Sequence, residues 1–200
     1  MISRVKPKRS FFSAAVKSVL ACLTLCDLAS AQLTGTIPQS PKQVVQAYRN
    51  MDEHGERLTA SGWKKGNEFF LHPAPPPTVR VLGVMAAGEI IGEATINGDK
   101  AEVWTEFDFL GKVYPTGRFS RSLGGSPPVK GPLPSRQKYR LTLTGTQWKI
   151  DDFEANAKVT AAVAIHYLER LRDTTDQDDV KKNAERSIAE LMAFQNERAK

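Results

Sequence analysis

The side chains able to do acid–base chemistry in this chain are scattered. Tyr48, Asp52, His54, His72, Asp108, Tyr114, Tyr139 and Asp152 could each carry a proton inside a pocket, but no two stand at a spacing that dictates a pair. Asp108 is the candidate general base. It follows Trp104 and Glu106 on one face of a strand, and a carboxylate in an apolar site has its pKa raised toward the range useful for proton abstraction. If that face points outward instead, all three are solvated sheet residues. His54 sits beside Gly55 at a helix end, where a cation meets the negative pole of the dipole. His72 precedes Pro73, and His166 lies between Ile165 and Tyr167 on a helix, as a partly buried structural histidine would. Asp151 and Asp152 are adjacent on a strand and so point to opposite faces. Asp173, Asp176, Asp178 and Asp179 lack the glycine and closing glutamate of a calcium loop. No metal-ligand spacing or phosphate-cradling glycine loop is present, so no metal and no cofactor are expected.

The net charge of +6 would favour polyanions, but its placement argues otherwise. Five of the 28 basic and one of the 22 acidic side chains lie in residues 1–31, which leaves +2 on the remainder. No nucleic-acid partner is expected, because such proteins carry their basic surface on the folded domain. Residues 1–31 have the order of an export signal: a basic start, an apolar run from Val19 to Leu25, and Ala29-Ser30-Ala31 before Gln32. Retention as an anchor and lipid attachment at Cys22 are the alternatives. Cys22 and Cys26 are the only cysteines, so cleavage after Ala31 leaves no disulfide, thiolate or cysteine zinc site. The expected location is the periplasm or the medium, with no membrane span after cleavage.

The elements that must position any site follow from local signals. After a leader at 32–39, Ser40-Pro41-Lys42-Gln43 has the form of a capping box with proline at the first helical position. Val44, Ala47, Tyr48 and Met51 then share an apolar face, and Gly55 ends the helix. Thr59 caps a second helix carrying Trp63, Gly66 and Phe70. Its two glycines, Gly62 and Gly66, cost about 1 kcal/mol each unless a close neighbour needs the space. The proline segment 72–77 is a stiff connection. Strands are expected at 78–84, 89–96, 101–110, 112–119, 138–144 and 147–153, with tight turns at Asn97–Lys100 and Gly145-Thr146. Residues 123–135, rich in proline and glycine, form a long loop. Basic side chains across 118–140, among them Arg121, Arg136, Lys138 and Arg140, could attract an anion or protect a sheet edge. Two helices close the chain. Val159, Val163, Tyr167 and Leu171 mark the first, and Val180, Ala184, Ile188, Leu191 and Gln195 the second, with an acidic break at 174–179.

The strand ending Gln147-Trp148-Lys149-Ile150-Asp151-Asp152-Phe153, after Tyr139-x-Leu141-x-Leu143, resembles the nuclear transport factor 2-like superfamily over residues 40–155. The resemblance implies an α+β fold: a curved antiparallel sheet packed on N-terminal helices, cone-like, with an open pocket. Here residues 156–200 add a C-terminal helical pair, which could cover the sheet, form a dimer contact or dock on an envelope protein. The implied function is a non-catalytic pocket domain binding a small apolar ligand or a protein partner. Trp63, Phe70, Trp104, Phe107, Tyr139 and Trp148 are its candidate core or pocket residues. The alternatives are an isomerase- or dehydratase-type enzyme using Asp108 or a histidine, and an interaction protein acting through its last helices. Docking by those helices requires an exposed apolar stripe through Ile188 and Leu191.

Overall fold

The computed structural model describes residues 39–77, 80–121 and 131–198. The expected export signal, most of the expected leader at 32–39 and most of the expected 123–135 loop lie outside them.

Helix α1 (Pro41–Glu53) starts as its sequence dictates. Gln43 N–H donates to Ser40 Oγ at 3.3 Å, and Ser40 N–H donates to the Gln43 amide oxygen at 2.8 Å. His54 caps the far end, and Gly55, at φ 73°, turns the chain into a short 3₁₀ segment, Glu56–Leu58. Helix α2 (Ala60–Asn67) follows, its Gly62 N–H held by Thr59 Oγ1 at 3.0 Å. The two glycines that weaken α2 make room for neighbours. A Cβ on Gly62 would lie 1.9 Å from the Glu56 carbonyl oxygen, and one on Gly66 would lie 2.7 Å from the stem of Arg57. The proline segment is pinned at Ala74, whose carbonyl accepts from Trp63 Nε1 at 3.1 Å and Asn67 Nδ2 at 2.8 Å.

Seven strands then form one open, mixed sheet: β1 (Leu82–Met85), β2 (Ile90–Asn97), β3 (Lys100–Val113), β4 (Phe119–Ser120), β5 (Leu133–Thr144), β6 (Gln147–Ile150) and β7 (Lys158–Thr160). The long β3 organises it. Phe109 pairs with Leu133 of β5 and with Met85 of β1, so these strands flank β3 on opposite edges. β2 shares β1's edge, and β4 shares β5's. β6 lies outside β5, and its outer side bridges to Phe70.

Several expectations shift. The strand expected at 112–119 is a hairpin: β3 runs on to Val113, and a turn reaching Gly117 (φ 74°) leads to β4. β5 begins at Leu133, inside the segment read as loop. The sheet is antiparallel except where β7 joins β1 in parallel. Val159, expected on a helix, belongs to β7, because the polar stretch before it lets the chain run extended beside β1.

Helices α3 (Ala161–Thr174) and α4 (Asp178–Arg198) complete the fold. Ala164, Ile165 and Leu168 of α3 and Ala184, Ile188 and Leu191 of α4 are buried in one cluster with Leu82, Val84, Val113 and Val159, and Val180 is buried as well. Phe194 occupies the buried position expected of Gln195. The exposed stripe that docking through Ile188 and Leu191 requires is therefore absent: these side chains are buried in the core that includes β1, the end of β3 and β7. Ser187 is the polar member of this seam, accepting from Phe119 N–H and donating to the Gly117 carbonyl, both at 2.8 Å. Among the described residues no helix is long and apolar enough to cross a membrane.

Candidate functional site

One flank of α3, at the edge of that core, is also apolar. Val163, Tyr167 and Leu171 recur along it at four-residue spacing and are half-buried. They face the corner that Gly55 and the 3₁₀ segment build, and between the two runs a groove of about 540 Å³. Leu58 and Ala162 add to its apolar walls, while His54, Thr59, His166, Arg170 and Thr174 supply polar groups. Val163 is seated so closely on Gly55 that a Cβ there would meet its methyl at 2.6 Å. His54 donates from Nδ1 to the Asn50 carbonyl at 2.7 Å, which fixes the ring at the end of α1. His166 Nδ1 lies 3.6 Å from Glu169. Burial raises the Tyr167 hydroxyl pKa above its ordinary value, against the nearby positive charge of Arg80.

A second opening, about 470 Å³, lies where β2 leaves β3. Gly88, Ile90, Glu106, Phe107, Asp108 and Arg136 are among its lining residues. Asp108 thus borders a cleft, while Glu102, Trp104 and Glu106 of the same strand face are at least partly solvated. That face is a ladder of satisfied charges. Lys138 meets Glu102 at 3.0 Å, Arg136 meets Glu106 at 3.5 Å, and both cations sit over the Trp104 ring, 4.3 Å away for Arg136 and 5.0 Å for Lys138. Arg140 meets Asp152 at 2.7 Å and Arg121 meets Glu190 at 3.2 Å, so the basic stretch expected over 118–140 is largely neutralised.

Between α1 and the sheet, where the resemblance implies an open pocket, the space is filled by charge. Arg49, Asp52 and Arg57 are all buried. Asp52 accepts from Arg49 at 2.9 Å, from Arg57 at 3.0 Å and from Lys158 N–H at 3.3 Å. Arg49 also pairs with Glu89, and Arg57 donates to the Glu154 carbonyl at 2.8 Å. Glu154 accepts from Tyr48 and Tyr139, both at 3.3 Å, and pairs with Lys158, which also reaches Gln137. Burial works to raise the Glu154 pKa, but Lys158 and Arg49 outweigh it and hold the carboxyl below the usual glutamate value. Burial, with Asp52 and Glu154 nearby, pushes the Tyr48 hydroxyl well up; burial and Glu154 do the same for Tyr139.

The expected pocket residues divide accordingly. Trp63, Phe70 and Tyr139 are buried in packing: the Tyr48 ring meets Phe70 at 5.1 Å and Tyr139 at 6.1 Å, and Phe153 meets both Phe70 and Trp63 edge-on. Trp63 borders a void of only about 10 Å³. Trp148 packs against the same cluster, and Trp104 lies on the outer ladder. Phe107 alone of the six lines one of the two larger openings, with the Lys158 ammonium 5.5 Å from its ring. The groove brings His54 and His166 together. Val163, Tyr167 and Leu171 were legible as one apolar helix face but not as a cavity wall. Arg49, Arg57, Glu89, Glu154 and Lys158 carried no local signal, because only the tertiary fold assembles them.

Comparison with known proteins finds no family model, curated protein or solved structure that matches the chain.

Proposed function

We propose that this chain is an exported, non-catalytic binding domain that holds a small, largely apolar molecule in the groove between the Gly55–Thr59 corner and α3. The observation that carries the proposal is the groove itself: about 540 Å³, walled by Leu58, Ala162, Val163, Tyr167 and Leu171, with a few polar side chains, His54, His166 and Arg170 among them, in its lining. Small-molecule sites have this size and this composition, an apolar lining with few polar groups. The filled space beneath α1 supports placing the ligand here and not between helix and sheet. Kinship with the nuclear transport factor 2-like superfamily belongs to the same proposal. It is supported by α1 contacting β2, β3 and β6 and by the Trp148–Ile150 strand.

The test is the fluorescence of N-phenyl-naphthylamine, a neutral apolar probe, on titration with the protein. Ala162 is exposed on the groove wall, so Ala162→Trp should fill the groove without unfolding the protein, and binding should fall at least tenfold. Trp104→Ala, on the outer ladder, should leave binding unchanged. Loss of binding in Trp104→Ala with retention in Ala162→Trp would place the ligand on the sheet and refute the proposal.

One observation favours a second reading, an isomerase- or dehydratase-type enzyme: Asp108 borders a 470 Å³ cleft beside Phe107. That reading requires turnover of a carbonyl or hydroxyl substrate that Asp108→Asn abolishes. A protein partner or a second copy would use exposed apolar side chains such as Ile90 and Ile96 on β2 or Met192 on α4.

A further inference from the structure

Resting on the groove as the binding site, we infer that its ligand is an amphiphile with an anionic head, such as a carboxylate, on an apolar body. Among its lining residues the groove has one fixed charge, the cation of Arg170. His54, His166 and Arg170 line it, and no carboxylate does. Arg170 is the decisive group. Its guanidinium is exposed at the groove and, among the described residues, has neither an ion pair nor a hydrogen bond. Two residues on, outside the groove, Arg172 is matched by Asp173 at 2.8 Å, and Arg136 and Arg140 on the sheet meet Glu106 and Asp152. Near the groove, Glu169 lies 3.6 Å from His166, and Arg80, which donates to the Leu58 carbonyl, is close enough for its charge to act on the Tyr167 hydroxyl.

An arginine fork without a partner, at the rim of an apolar channel, fits a carboxylate through two parallel charge-assisted hydrogen bonds. The apolar tail would then lie along Leu58, Val163 and Leu171, where its burial supplies the bulk of the affinity. The head supplies orientation and selects against neutral molecules of the same length.

The experiment is calorimetric titration of the purified protein at low salt with dodecanoate and with dodecanol, each below its aggregation concentration. N-phenyl-naphthylamine reports whether the groove is open. The acid should bind about tenfold more tightly than the alcohol. Arg170→Gln should close most of that gap, Arg170→Lys should restore part of it, and added salt should narrow it. Equal affinity for acid and alcohol, with the neutral probe still bound, would overturn the anionic head and leave the groove standing. An acid preference removed by Arg136→Gln and not by Arg170→Gln would move the anion to the β2–β3 cleft and overturn the inference. Failure of all three molecules to bind would remove the groove reading itself.

Discussion

The two halves of the sheet are covered by different chemistry. Under α3 and α4, Leu82, Val84, Val113, Val159, Leu168 and Leu191 form an apolar core in which Ser187 is the buried polar exception. Under α1, Val44, Val45 and Tyr48 pack on Val103 and Leu141, but the space beside them holds Arg49, Asp52, Arg57 and Glu154. The first half is held by burial, which is non-directional and tolerates repacking. The second depends on each charge keeping its partner, because an ion buried without one costs far more than a lost contact. The comparison is the ground for the proposed ligand site: the ionic half has filled its interior, while at the edge of the apolar half a groove runs between α3 and the Gly55–Thr59 corner.

The largest effect should come from breaking the ionic half. Asp52→Ala removes the shared partner of two buried arginines and should cost about 3–5 kcal/mol in urea unfolding. Leu168→Ala, the matching cut in the apolar half, should cost about 2–5 kcal/mol, with the cavity as its cause. The two are separated by salt: ionic strength should shift the Asp52→Ala protein relative to wild type more than it shifts Leu168→Ala. A smaller effect is pH dependence. The folded Glu154 carboxyl lies below its unfolded value of about 4.3. Its contribution is therefore complete above that pH and fades as pH falls through the lower folded value. Urea midpoints should drop over this acidic range, and Glu154→Gln should flatten the drop while lowering stability at neutral pH. The smallest effect is Ser40→Ala at the start of α1, about 1 kcal/mol by thermal unfolding.

Local signals reached as far as local physics does. The capping box at Ser40, the Thr59 cap, the turns after Asn97 and after Thr144, and the acidic break before α4 were all readable, because each is decided within a few residues. The long-range features were not. Val159 has the spacing of a helix face, yet pairing with β1 makes it a strand residue. Arg57 has nothing nearby to mark it as buried; its place depends on Asp52 five residues back and on the Glu154 carbonyl far along the chain. Of the aromatic residues read as core or pocket lining, Trp63, Phe70 and Tyr139 are buried in packing. Periodicity reports that a face is covered, and cannot report whether it is covered by protein or by a ligand.

Hydrogen exchange with and without bound dodecanoate tests the central claim most directly. Slowed exchange at residues 54–59 and along 162–174, with β5 and the 87–90 turn unchanged, is the predicted result. Protection confined to β5 and the 87–90 turn would put the ligand in the sheet cleft and contradict the account.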